Sequence, residues 1–320
     1  MNFNKLKQAY IIAEIGINHQ GKLKIAKNMV DKAKDAGVNA VKFQCYKTES
    51  VVSEKTPKIK YQKKNSKDKQ SHFQMLKECE LSENDFKFLK MYCKKKKIDF
   101  ISSSGDVQSF KFLKKIGMDI FKLASADLTD LFLNQYLASI KKNIIISTGM
   151  ANIKEIKETL KFYKNISKNK ICLMHCVSNY PCDNKSLNLK VLPVLKKMGY
   201  TIGFSDHTNS NVAAITSLSL GAKIFEKHFT LDKNMKGPDH KASVDYLELK
   251  KYVNDLREAE KSLGKPIKAC QSEEKQMRLI ARKSIFTKKK ILKNTKLKLE
   301  DVCFKRPGNG ISPMQLNNVL

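Results

Sequence analysis

Eight short apolar runs punctuate this chain at the spacing of strand–helix units, and no other feature limits its possible folds as much. They are YIIAEIG (10–16), AVKFQCY (40–46), DFISSS (99–104), IFKLAS (120–125), NIIISTG (143–149), KICLMHC (170–176), TIGFSDH (201–207) and KIFEKHF (223–229). Near-continuous runs of this length suit strands buried on both faces. The stretches between them have helical spacing; Leu23, Ala26, Met29, Val30 and Ala33 share a face before Gly37. Glycines stand shortly before the next strand in AGVNA (36–40), IGMDI (116–120), KMGYT (197–201) and LGAKI (220–224), as loops from helix to strand prefer. The pattern predicts an α/β fold whose parallel sheet closes into a (β/α)8 barrel. An open doubly wound sheet is the alternative. The polar segment around 50–80 reads as a long loop after the second strand.

Near residue 265 the pattern changes. SEEKQMRLIARKS (272–284) leads into IFTKKKILKNTKLKLEDVCFKRPGNGISPMQ (285–315), with short strands and turn residues. The expected organisation is a barrel over 1–264, a linker over 265–281 and a small β-rich module over 282–320. A module that small buries little surface and needs a partner surface to be stable.

Composition narrows the function. The net charge of +31 invites a nucleic-acid reading, but of 62 basic residues only Arg257, Arg278, Arg282 and Arg306 are arginine. Base readout and bidentate phosphate clamps lean on arginine, and the lysines spread over every segment. They read as solvated helix faces whose positive field gathers small anions. No stretch is long enough to span a bilayer, and MNFNKLKQAYIIAEIG lacks a secretory signal. Eight cysteines without CxxC or zinc-type spacing read as reduced thiols. The expectation is a cytoplasmic protein with neither nucleic acid nor membrane as partner.

Barrel enzymes carry their chemistry at the carboxyl ends of the strands. Here those ends hold Glu14 and Asn18-His19; Lys42 and Gln44; Ser102, Ser103 and Ser104; Lys122, Ser125 and Asp127. They continue with Ser147 and Thr148; His175, Ser178 and Tyr180; Ser205, Asp206 and His207; Glu226, Lys227 and His228. Polar groups at all eight exits are hard to explain by packing. Lys42 and Lys122 lie inside apolar runs, where a lysine needs an anionic partner. With Ser103, Ser125, Ser147 and Ser205 they suit a bound phosphate and carboxylate. His207 and His228 close adjacent strands. Each alone reads as a packed core histidine; as a pair they suit one divalent ion with positions left open, and an oxygen-rich, sulfur-poor set favours manganese or magnesium. His72, His175 and His240 are weaker candidates, and no cysteine is assigned a nucleophilic role.

AEIGINHQG (13–21), KFQ (42–44), KLAS (122–125), STGMA (147–151), LMHCVSNYP (173–181), GFSDHT (203–208), EKHFTLDKNMKGPDHKAS (226–243) and KRPGNGISPM (305–314) together resemble the sialic acid synthase family. The resemblance implies a (β/α)8 TIM barrel followed by a small antifreeze-protein-like (SAF, β-clip) domain. It also implies a domain-swapped homodimer in which that domain covers the partner's barrel mouth. The implied reaction condenses phosphoenolpyruvate with N-acetylmannosamine or a related 2-acetamido sugar, giving a nine-carbon 2-keto sugar acid and phosphate. Manganese or magnesium would polarise the open-chain aldehyde.

By motif, Lys42, Ser103, Lys122, Ser125, Ser147 and Ser205 would hold phosphoenolpyruvate, and His207 and His228 the metal. Gln44, Asp127, Tyr180 and Asp239 would contact the sugar, Arg306 would reach its N-acetyl group from the other subunit, and Glu14 would sit at the reacting centre. The chain departs from the family where the third strand ends Ser102-Ser103-Ser104-Gly105 instead of Ser-Thr-Pro-Phe, at Ala126-Asp127 after the fourth strand, and in stopping at Leu320 inside the small domain. These departures keep open an inactive sugar- or anion-binding barrel. The AEIGINH run favours the sialic or legionaminic branch over the pseudaminic one.

Overall fold

Gly117 (φ +80°) and Gly221 (φ +98°) end helices in the left-handed conformation that a side chain resists, and a strand follows each within a few residues. The computed structural model describes residues 1–58 and 71–320. The strands are β1 (Tyr10–Gly16), β2 (Ala40–Gln44), β3 (Asp99–Ser103), β4 (Ile120–Leu123), β5 (Asn143–Ser147), β6 (Ile171–His175), β7 (Thr201–Asp206) and β8 (Ile224–His228). They pair in chain order, all parallel, and β8 closes on β1 from Tyr10↔Ile224 to Glu14↔His228. The sheet is therefore the expected barrel and not the open alternative.

The helices around it are α1 (Leu23–Asp35), α2 (Thr48–Val51), α3 (His72–Glu78), α4 (Glu83–Lys96), α5 (Val107–Lys115) and α6 (Leu131–Ile140). Then come α7 (Ile153–Phe162), α8 (Val191–Lys196), α9 (Val212–Ser219) and α10 (Tyr246–Leu263). Among the described residues no helix is long and apolar enough to cross a membrane.

Alternation along the strands builds two apolar layers. Outward residues such as Ile11, Val41, Phe121, Ile144, Leu173, Phe204 and Phe225 pack with the helices in one core. Inward residues, among them Ile12, Ala40, Ile101, Ile120, Ile145, Cys172 and Ile224, join Phe3 in a second cluster inside the barrel. Burial on both faces explains the near-continuous apolar runs of the sequence.

The segment around 50–80 is not all loop. α2 and α3 flank residues 59–70, which lie outside the described residues. α3 starts on a capping box in which the Ser71 hydroxyl accepts from Gln74 N–H and the Gln74 side chain accepts from Ser71 N–H. Met75 is buried, and Tyr46 Oη donates to Leu76 O (2.9 Å), so polar surroundings concealed an anchored helix.

The chain divides into two compact units, Met1–Gly264 and Lys265–Leu320. The second holds α11 (Glu274–Ala281), inside the segment expected to be a linker, and an antiparallel pair of β9 (Ser284–Thr287) with β10 (Val302–Lys305). Ser284 Oγ donates to Pro307 O (2.7 Å) and accepts from Gly310 N–H (2.9 Å), fastening the segment after β10. In this unit burial is confined to Ser284, Asp301 and Val302.

Candidate active site

The inward positions that are apolar early in the strands turn polar at their carboxyl ends. Glu14, Lys42, Ser103, Lys122, Ser147, Ser205 and Glu226 all lie at this end, each no more than 6% exposed. Gln44 and His228 join them at the ends of β2 and β8. The site is thus the top layer of the barrel's own interior, with polar groups from seven of the eight strands.

Charge here is paired inside the protein. Lys42 Nζ lies 3.0 Å from Glu14 Oε2 and 3.5 Å from Glu226 Oε2. Lys122 Nζ lies 3.6 Å from Glu226 Oε1 and donates to Ser147 Oγ (2.7 Å). Ser205 Oγ donates to Glu226 Oε1 (2.9 Å), and Gln44 Nε2 donates to Glu14 Oε1 (2.9 Å). Glu226, to which the sequence reading gave no role, is therefore the hub. Its signal was available: alternation puts it on the face of His228, and the two embedded lysines required an anion.

The two carboxyls differ. Burial pushes Glu226 up, but Lys122 and Lys42 outweigh it and hold the group at about 2. Burial dominates at Glu14 and raises it despite Lys42. Lys42 is raised: burial works against its charge, yet Glu14 and Glu226 prevail. Lys122 is lowered, chiefly by burial. Two lysines thus face one carboxyl held low by their charge and one that burial raises, and with the surrounding hydroxyls they suit an anion.

His207 and His228 face each other beside this layer, ring centroids 5.6 Å apart at 59°. His207 Nδ1 lies 2.7 Å from Val177 O; a carbonyl only accepts, so Nδ1 carries the proton and Nε2 keeps its lone pair. Burial lowers His207 to about 4, and burial with His207 holds His228 well below the ordinary range. Both are neutral near pH 7, the form that binds metals. Two neutral imidazoles facing each other beside an oxygen-rich layer are a donor set that fits one divalent ion. No group of three or more His, Cys, Asp or Glu suited to a metal occurs among the described residues. The protein would supply two nitrogens and leave other positions to water or substrate oxygens.

Tyr180 packs on both rings, 4.1 Å from His207 and 5.3 Å, edge-on, from His228. Across the barrel mouth Ser125 Oγ lies 3.2 Å from Cys176 Sγ and accepts from Gly149 N–H (3.1 Å). A Cβ on Gly149 would sit 2.4 Å from Ser178 Oγ and 2.8 Å from both Cys176 Sγ and Ser125 Oγ, so only glycine lets these three side chains approach the backbone here. Asp127 ends the turn Ser125–Asp127; burial and Asp130 raise its carboxyl to about 6. Asp239 precedes the turn His240–Ala242; burial raises the Tyr46 and Cys79 side chains, and the charge of Asp239 adds to both.

Arg306 lies outside the barrel, in residues 265–320, with its side chain exposed. The altered third loop has a local reason: a Cβ on Gly105 would meet Val51 Cγ1 at 2.8 Å, so glycine lets α2 pack against it. His175 is a packed histidine, Nε2 2.7 Å from Leu187 O. His240 is fully buried with Nδ1 2.7 Å from Thr230 Oγ1, and fastens the loop that carries Asp239. The eight cysteines are all free.

This geometry has relatives. A family model described as NeuB family matches residues 29–268. The chain is 40% identical to an N,N'-diacetyllegionaminic acid synthase of Campylobacter jejuni, over 98% of this chain and 95% of that one. It is 38% identical to the protein of the same name from Legionella pneumophila, over 97% and 89%. It also superposes on the crystal structure of an N-acetylneuraminic acid (sialic acid) synthetase from Leptospira borgpetersenii with a TM-score of 0.75 and 33% identity, covering 85% of this chain and 90% of that one.

Proposed function

The chain belongs to the NeuB family, and from that premise we propose that it is a sialic-acid-type synthase joining phosphoenolpyruvate to a 2-acetamido sugar. The observation that carries the reading is the buried Lys42–Glu226–Lys122 triad beside the neutral His207–His228 pair. The relatives named for N,N'-diacetyllegionaminic acid favour an acceptor with two acetamido groups, with N-acetylmannosamine as the alternative.

In this reading Lys42, Lys122 and the hydroxyls of Ser103, Ser125, Ser147 and Ser205 hold the carboxylate and phosphate of phosphoenolpyruvate. Gln44, Asp127, Tyr180 and Asp239 orient the open-chain sugar. His207 and His228 would hold manganese or magnesium, which when bound polarises the aldehyde. The phosphoenolpyruvate methylene carbon forms the new bond to the sugar's aldehyde carbon. Water then adds to the cationic carbon left behind, and its bond to the phosphate oxygen breaks to release phosphate. Glu14, whose carboxyl burial raises, is suited to move a proton at that carbon, while the lysines offset the leaving charge. Residues 282–320 are proposed as a SAF-type domain that places Arg306 on the acceptor's N-acetyl group in the partner subunit of a homodimer.

His207→Ala and His228→Ala are expected to abolish metal-dependent product formation while keeping the fold. Undiminished turnover by both would contradict the metal assignment. Calorimetric binding of phosphoenolpyruvate without phosphate release would support an inactive binding barrel instead.

A further inference from the structure

An ion pair is buried in the barrel wall directly behind the two histidines. Asp206 precedes His207 and Lys227 precedes His228, and strand alternation turns these two outward where the histidines turn inward. They are register partners across β7 and β8, with Lys227 Nζ 3.1 Å from Asp206 Oδ2 and side chains 3% and 0% exposed. Asp206 Oδ1 accepts from Thr208 N–H (2.9 Å), bending the chain just past His207. Lys227 Nζ donates to Thr208 O (2.6 Å) and lies 5.4 Å from the ring of the buried Tyr252 on α10.

Stability is a weak reason for such a pair, because desolvating two charges costs about what their attraction returns, and apolar replacements are often as stable. Position is a better one. The hydrogen bond from His207 Nδ1 to Val177 O fixes the rotation of one ring but not the spacing of the two strand ends. The ladder of β7 with β8 ends at Asp206↔Lys227, and where it stops the pair ties β7, β8 and the turn after His207 together at the level of both rings.

We infer that Asp206 and Lys227 are positioning residues that hold His207 and His228 at the separation at which both imidazoles address one divalent ion. The inference rests on the metal reading proposed above. The test is calorimetric titration of the full-length chain with manganese chloride alone, well below the melting temperature. The variant D206N/K227M removes both charges and leaves neither one buried alone. Its manganese affinity is expected to fall roughly tenfold or more, while its metal-free affinity for phosphoenolpyruvate stays within about twofold of the unaltered chain.

K227R keeps the charge but displaces the group that donates to Thr208 O. It is expected to lose about threefold in manganese affinity, and it is the variant read if the double one does not fold. Unaltered manganese affinity in the folded variant would overturn the inference and leave the pair a structural tie. Failure of the unaltered chain to bind manganese is a separate result: it would overturn the metal reading, and this inference with it.

Discussion

At the scale of single residues, the site is governed by which carboxyls the barrel lets ionise. Glu226 sits between two lysines and stays charged, whereas Glu14 and Asp127 are raised by burial. Asp127 gives a pH test. Its folded value is about 6 against 3.8 for the ordinary group, so the folded chain binds the proton more tightly. Its contribution to stability is fully present below about pH 4 and is lost as pH rises through 6. Near pH 7.5 the half-buried carboxylate costs on the order of 3 kcal/mol. D127N should therefore melt higher than the unaltered protein at pH 7.5, with the gap closing below pH 4, and should bind the acceptor sugar more weakly. A melting difference that does not change with pH would contradict this account.

At the scale of elements, a loop glycine and a helix cap carry the argument. Gly149→Ala places a methyl against Ser125, Cys176 and Ser178. It should raise the phosphoenolpyruvate KM roughly tenfold, about 1.4 kcal/mol, in a protein that still folds; an unchanged KM would remove this corner from the anion site. Ser71→Ala removes the cap of α3 and should cost about 1 kcal/mol locally, seen as faster hydrogen exchange over 72–78 and contradicted by unchanged exchange.

The eight strands were legible because burial on both faces leaves runs that nothing else explains. α3 was not, because one buried methionine in a polar stretch gives no periodic signal, although Ser71 and Gln74 stood at capping-box spacing. Strand ends revealed the lysines, serines and histidines. They did not single out Glu226 as the hub, although its alternation with His228 and the lysines' need for an anion pointed to it; which groups pair depends on side-chain reach within the closed barrel. Only closure of β8 onto β1 puts Glu226 and Glu14 on either side of Lys42.

At the scale of the whole molecule, the two units differ in self-sufficiency. The barrel has a continuous core between sheet and helices, while residues 265–320 bury only Ser284, Asp301 and Val302 and expose Met277, Ile280, Leu292 and Met314. Residues 265–320 made alone should show no cooperative thermal transition; a sharp one would contradict a module that needs a partner surface. The excess of lysine over the whole chain is consistent with drawing small anions toward the barrel.

The central claim is that the top of this barrel joins phosphoenolpyruvate to a 2-acetamido sugar. Its most direct test is phosphate release by the full-length chain with phosphoenolpyruvate, manganese and a panel of mono- and diacetamido sugars, with the product mass measured in parallel. The account predicts one phosphate per nine-carbon 2-keto sugar acid, and neither product from the His207→Ala protein. Binding of phosphoenolpyruvate with no phosphate released for any acceptor would contradict it.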